Sequence, residues 1–276
     1  MLTDEVRHEC AQIAAAARHV RIDLRPDVPL GGKSGLDTQL HYLEGTQDEV
    51  ARYIFILDAI NFGSGWFDEL QVTTDSLTER LTAHAREHGP WTPQQLRDLD
   101  EATLREVLDL PSSQLAHLYT NGCRQLGEWF GARTATECIG DSAEDLARRL
   151  TKMPYFDDKG FYKRAQITAN DLHLAGVADF ADIDRLTIFA DNLVPHVLRL
   201  DRVLIYSDEL AKTIDAGEEI TGEFEKEVRA CALHACEALA QRAGVPPRTL
   251  DNRIWNRGQR PPYSTSRAHI TKTVFY

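Results

Sequence analysis

Apolar residues recur along this chain mostly at helical spacing. Val6, Cys10, Ile13, Ala14, Ala17 and Val20 form one such series after Thr3, a suitable N-cap. Pro26, Pro29, Gly31, Gly32 and Gly35 then break the pattern into a loop. Thr46-Gln47-Asp48-Glu49 reads as a capping box. It opens Val50 to Ile60, which is apolar nearly all round and is therefore expected to be buried. Thr92-Pro93-Gln94-Gln95 is a second helix start, with proline at the first helical position. Further helices are predicted over Asp100 to Leu110, Ser112 to Phe130 and Ser142 to Met153. Two more run from Gly160 to Ala175, stopped by Gly176, and from Phe224 to Ala243, stopped by Gly244. Strand alternation is scarce, with Val203 to Tyr206 and Val72-Thr73-Thr74 as weak candidates. There is no internal repeat, heptad run or low-complexity segment. The pattern predicts a mainly α, multi-helix fold with at most a small β element. It also predicts one domain over residues 1–276, with room for two closely packed helical lobes.

Composition narrows the function classes. The chain has 276 residues, 42% of them hydrophobic, enough for a sizeable core. Its formal net charge of −12 repels phosphate backbones, so no broad DNA or RNA groove is expected. The charge is uneven. Asp208 to Glu227 is dominated by acids, whereas Arg248 to Tyr276 carries six Lys or Arg residues against the single acid Asp251. Such a tail suits a small anion, or it pairs with the acidic run. Five cysteines without C-x-x-C spacing predict free thiols in a reducing compartment. No segment approaches a membrane span and the acidic N-terminus lacks a signal-peptide core, so a cytoplasmic protein without membrane contact is expected.

Two motifs carry little weight. His84-Ala85-Arg86-Glu87-His88 matches a zinc-peptidase pattern, but it is polar and Gly89-Pro90 ends it, which favours a surface helix end. Gly32-Lys33-Ser34 lacks the first glycine of a phosphate-binding loop, since Asp27 stands there. Four stretches carry more. In Leu186 to Pro195, a helical reading puts Asp191 on one face with Ile188, Val194, Pro195 and Leu198, where an acid is costly to ionise unless paired or used. The alternative has Asp191 or Asn192 capping a helix that starts near Pro195. Lys163, Gln166 and Asn170 form a polar line, either solvated or aimed into a pocket. Asn61-Phe62-Gly63-Ser64-Gly65-Trp66 joins an amide and aromatic rings to a glycine-rich turn. The tail, with Asp251, Trp255, His269 and Lys272, ends on Phe275-Tyr276 and is expected to dock.

Taken in order, these stretches resemble the queuosine salvage family, the queuosine 5′-phosphate N-glycosylases/hydrolases, in its bacterial form. The matching residues are Asn61, Phe62 and Trp66; Tyr162 to Gln166; Phe189-Ala190-Asp191 with Pro195; Tyr206-Ser207-Asp208; Glu225 to Cys231; Leu250, Asp251 and Trp255; and His269 with Thr271. Asn192 and Leu193 replace a Tyr-Arg pair, and Ile270 replaces an arginine. The order holds from about residue 40 to the C-terminus.

The resemblance implies a fold related to helical DNA glycosylases and hydrolysis of queuosine 5′-phosphate to queuine and ribose 5-phosphate, without metal or organic cofactor. It implies Asp191 as the catalytic carboxylate, with Lys163 beside it. Asp251 and His41 are the expected contacts to the base, and Phe62, Trp66, Phe189 and Trp255 are candidate stacking surfaces. Asn61 and Asn192 complete the substrate contacts. Arg260, Arg267, His269 and Lys272 are the candidate phosphate donors. The expected partner is a small nucleotide, with no duplex nucleic acid, membrane or obligate protein. Competing readings are a helical DNA glycosylase, a non-catalytic queuine- or nucleotide-binding protein, and a zinc hydrolase using His84 and His88.

Overall fold

In the computed structural model, which describes residues 1–276, the chain forms fourteen α-helices and one two-stranded sheet. In chain order these are α1 (Leu2–Ala16), β1 (Val20–Ile22), α2 (Gln47–Ala59), α3 (Phe67–Leu70), α4 (Thr74–His88), α5 (Pro93–Asp98), α6 (Glu101–Leu108) and α7 (Gln114–Phe130). Then follow α8 (Ala135–Ile139), α9 (Ala143–Leu150), α10 (Lys163–Leu174), α11 (Leu193–Leu200), β2 (Leu204–Tyr206), α12 (Asp208–Ala216), α13 (Glu223–Ala243) and α14 (Pro247–Gly258). The fold is mainly α, as the periodicity predicts. No helix is long and apolar enough to cross a membrane.

Local chemistry explains most boundaries. The Thr46–Glu49 capping box opens α2, and equivalent boxes open α5 (Thr92–Gln95) and α8 (Thr134–Glu137). Val72-Thr73-Thr74 is not a strand, because Thr73 and Ser76 form a capping box that starts α4. Gly244, in the left-handed region at φ 65°, stops α13. The predicted helix from Gly160 starts three residues later, since Gly160 (φ 87°) and Tyr162 (φ 51°) both hold left-handed backbone. The first helix ends at Ala16, and Val20 instead joins β1.

The chain divides into two compact units that alternate along the sequence. The first comprises Met1–Gly35, Lys159–Lys163 and Asp184–Lys272; the second comprises Leu36–Asp158, Arg164–Ile183 and Thr273–Tyr276.

In the first unit, α1 packs along α13 and α11 packs against α14. β1 pairs antiparallel with β2 in the register Val20↔Tyr206, Arg21↔Ile205, Ile22↔Leu204. The turn from α1 into β1 is fastened by Glu227 of α13. Its buried carboxylate accepts the backbone N–H groups of Arg18, His19 and Val20 at 3.0, 2.7 and 3.1 Å. Three charge-assisted bonds offset the cost of burying that acid. The tail docks on the acidic segment through the backbone. The Ile220 N–H donates to the Ile270 carbonyl at 2.9 Å, and the Thr271 hydroxyl donates to the Ile220 carbonyl at 2.9 Å.

In the second unit, α2 is the central helix, buried from Tyr53 to Ala59. It packs against α4, α7 and α8, and α5 lies along α7. Gly127 permits the α5–α7 approach, because a Cβ there would lie 2.7 Å from the Arg97 amide nitrogen. All five cysteines in the chain are buried thiols outside any disulfide.

Candidate active site

The segment from Leu186 to Asp191 is irregular rather than helical, so the face shared by Asp191 with Ile188 and Leu198 does not exist. Helix α11 starts at Leu193. Asp191 Oδ1 accepts the amide N–H groups of Leu193 at 2.9 Å and Val194 at 3.1 Å, so Asp191 caps the helix. Asn192, at the last position before the helix, makes no side-chain cap. Pro195 sits in the first turn, where a missing N–H costs nothing. Both capping bonds fall on Oδ1, so Oδ2 takes no part in them. The positive end of the helix dipole further favours charge at this carboxylate.

Three other residues of the first unit supply the surroundings. Lys163, the first residue of α10, is 4% exposed. On α14, Asp251 is buried, and its Oδ1 accepts the Phe189 N–H at 2.9 Å. On α13, Arg229 donates from Nε to the Ala190 carbonyl at 2.9 Å. Its guanidinium lies 4.0 Å over the Phe161 ring and 3.7 Å from the Glu225 carboxylate. The irregular strap 189–190 is therefore held through one peptide donor and one peptide acceptor by two different helices.

The electrostatics follow from this packing. Burial pushes the Asp191 carboxyl above its ordinary value, opposed by Lys163, by the Val194 and Leu193 amides and by Arg229. Asp251 is pushed well above its ordinary value, first by burial and then by the charge of Asp191; the Phe189 amide and Lys163 oppose this. Two acids that feel each other in a poorly solvated place do not both ionise cheaply. Asp191, with the larger set of stabilising neighbours, is the better carboxylate, and Asp251 is the better proton holder until a ligand supplies donors.

The tail divides into roles that the sequence did not separate. His269 is buried and its Nε2 has no hydrogen-bond partner. Burial, aided by His196, Arg229 and Arg199, lowers its pKa to about 3. His269 is therefore a neutral imidazole, the one member of the expected phosphate donors that carries no positive charge. His196 is also buried, its Nε2 3.0 Å from the Tyr263 carbonyl oxygen. Arg248 pairs with Asp184 and Arg257 with Asp201, while Arg253 donates to the Leu30 carbonyl and Arg267 to the Asp215 carbonyl. Arg260 and Lys272 are exposed, and the Lys272 backbone N–H donates to Glu219 at 2.7 Å. Trp255 is half-buried on α14, one turn beyond Asp251. Phe189 is buried. A hollow of about 1010 Å³ in this unit lies elsewhere, lined by α1, β1, β2 and α13, and none of these candidate residues borders it.

The remaining candidates belong to the second unit. His41 is half-buried, its Nδ1 2.8 Å from the Asp37 carbonyl oxygen, and burial lowers its pKa. Asn61 donates to Asp58 at 3.3 Å. Phe62 is enclosed, edge-on to Tyr119 (4.9 Å) and Tyr155 (6.0 Å), and Trp66 is buried. Both rings thus have packing roles within their own unit. Gln166 and Asn170 are buried, so the polar line of α10 is not a solvated face. The residue missed within the Tyr162-Lys163-Arg164 run is Arg164. It is 0% exposed and donates to the carbonyls of Asp58 (3.0 Å), Tyr155 (3.0 Å), Val274 (2.8 Å) and Ala59. The His84–His88 motif is the last turn of α4. The two rings lie 5.1 Å apart, and no group of three or more His, Cys, Asp or Glu side chains is arranged to hold a metal ion.

Comparison with known proteins bears on this arrangement. Residues 40–276 match the family model described as queuosine salvage protein. The chain is 30% identical to the queuosine 5′-phosphate N-glycosylase/hydrolase of Sphaerobacter thermophilus, over 86% of this chain and 84% of that protein. It is 30% identical to the protein of the same name from Dictyostelium discoideum, over 87% and 83% of the two chains. With that from Mus musculus it shares 28% identity over 86% of each. The likeness therefore extends to eukaryotic as well as bacterial relatives.

Proposed function

The chain belongs to the queuosine salvage family, and we propose that it hydrolyses the N-glycosidic bond of queuosine 5′-phosphate, releasing queuine and ribose 5-phosphate so that the base can be reused in tRNA modification. The observation that carries this reading is the Asp191 carboxylate. It is fastened through one oxygen at the N-terminus of α11 and lies in the field of Lys163 and Arg229.

Cleavage of an N-glycosidic bond builds positive charge on the sugar, with oxocarbenium character. A partly desolvated carboxylate meets that charge with little dielectric screening, and its fixed orientation avoids reorganisation during the step. Asp191 is the residue proposed for that task, with Lys163 balancing its charge before the sugar charge develops. Asp251 is proposed for the base. The pairing edge of a deazaguanine carries adjacent N–H donors, and donating both to Asp251 would favour its ionised form, reversing the effect of burial. Trp255, Phe189, Asn192, His41 and Asn61 are the further proposed substrate contacts. Phe62 and Trp66 would act through the packing of the turn they occupy. Arg260 and Lys272 are the proposed phosphate donors, with neutral His269 as a hydrogen-bonding group. Residues 1–276 are proposed to work as a single salvage domain, in the cytoplasm and without an obligate protein partner. The chemistry asks for a carboxylate and water, not for a metal or organic cofactor.

The test is incubation of the purified chain with queuosine 5′-phosphate, with free queuine followed by chromatography. Release by the wild type and its loss in Asp191→Asn are the expected results. No release by the wild type, or undiminished release by Asp191→Asn, would defeat the proposal.

A further inference from the structure

The geometry points to Arg229 as the positioning residue of this site, the group that holds Asp191 and Lys163 in working register. The inference rests on the reading of Asp191 as the carboxylate facing the sugar.

Arg229 reaches both candidates through residues one or two places before them in the chain. Its Nε–H bonds the carbonyl of Ala190, the residue before Asp191, at 2.9 Å. Its guanidinium plane covers Phe161, two residues before Lys163, at 4.0 Å. Its own position is set by α13, where it is 2% exposed, and by Glu225 one turn earlier, 3.7 Å away. The segment carrying Asp191 is not held by secondary structure of its own, since Leu186 to Asp191 is irregular. The segment before Lys163 is equally irregular, with left-handed backbone at Gly160 and Tyr162. Two such segments keep a fixed relation only if a third, rigid element ties them. A planar guanidinium on a 21-residue helix meets that need, because it bonds in its plane and packs on its face at once. Lysine can supply the charge and one donor but not the stacked plane.

A positioning role predicts loss of turnover rather than of affinity. Misplacement of a reacting group by about 1 Å can cost on the order of 100-fold in rate. With queuosine 5′-phosphate as substrate, Arg229→Met is expected to lower kcat by about 100-fold while KM stays within about threefold. Arg229→Lys is expected to recover roughly tenfold of that loss, since it restores the bond to Ala190 but not the packing. Circular dichroism and thermal melting accompany each variant. If Arg229→Met does not fold, Arg229→Lys decides: kcat reduced about tenfold at unchanged KM supports the role, and wild-type kcat overturns it. Wild-type kcat in Arg229→Met, or a rise in KM with kcat unchanged, also overturns it. Asp191→Asn, assayed alongside, separates the two levels. If that variant is inactive while Arg229→Met is normal, only the positioning role fails. If Asp191→Asn is fully active, the premise fails and the inference with it.

Discussion

Arg164 and Arg229 are both withdrawn from water, yet their surroundings differ in kind. Arg164 donates to four backbone carbonyls of its own unit, and its guanidinium lies between the rings of Phe62 (4.6 Å) and Phe156 (4.4 Å). Burial lowers its pKa to about 9, which still leaves it charged at neutral pH. It fastens the end of α2, the Tyr155 turn and the C-terminal Val274 together. Arg229 acts on one perturbed acid, Asp191, and holds the strap that leads to it. The lesson is that a buried cation reads as structure or as function by what it neutralises. Carbonyl oxygens ask only for donors, so the arginine that satisfies them is an architectural part. Carboxylates with raised pKa values store an unfavourable charge that a reaction can use.

Four experiments would break or sharpen this contrast. The largest effect is expected for Arg164→Leu, which strands several buried carbonyls. It should lose about 3–5 kcal/mol of stability by urea unfolding, enough to leave much of the chain unfolded. A variant of near wild-type stability would show that Arg164 is not the tie described. Next comes Asp191→Asn. Its amide oxygen can still cap α11, so melting should shift little while kcat falls roughly 10²–10³-fold. The wild-type pH profile belongs to the same test. Asp191 is faced by Lys163, Arg229 and Asp251, and its net shift is upward. Activity that needs the ionised form should therefore fade on acidification with a midpoint above the ordinary carboxylate value of 3.8. A kcat/KM profile flat down to that value would contradict the assignment.

Asp251→Asn should separate stability from function. An acid whose pKa is raised by folding favours the fold while protonated, below its unfolded value, and this contribution is lost as pH rises through the folded value. Asparagine stays neutral and can still accept the Phe189 N–H. The variant should therefore gain stability at pH 7, with KM for queuosine 5′-phosphate raised about tenfold. A destabilised variant with unchanged KM would break that reading. The smallest effect is expected for His84→Ala, at the end of α4. Stability within about 0.5 kcal/mol and unchanged kcat are predicted, and loss of activity would return weight to the zinc motif.

The helices were legible to the extent that their signals are local. Thr46–Glu49 and Thr92–Gln95 bond within a few residues of themselves, and Gly244 stops α13 by its own left-handed backbone. Where an end depends on a distant partner, reading along the chain erred. Val20 left its helical series because Tyr206 pairs with it, and α10 started late because of two left-handed residues that no apolar period reveals. The site divided in the same way. Asp191 was visible as an acid among apolar residues beside a proline, and the alternative of a helix cap was also visible; the structure removes the shared helical face and keeps the cap. Arg229 lay in plain view within the Glu225 to Cys231 run, but nothing in that run names Ala190 or Phe161 as its partners.

What the sequence determined by itself is the helical class, most helix starts and stops, and the family, because these rest on short-range chemistry and on ordered residue identity. What only the tertiary structure decided is the company each charged group keeps. Lys163 and Arg164 are neighbours in the chain, yet they belong to different compact units. Lys163, Arg229 and Asp251 are far from Asp191 in the chain, yet each interacts with it electrostatically. Coulomb interaction and desolvation depend on distance and solvent access in the folded molecule, and packing alone sets both.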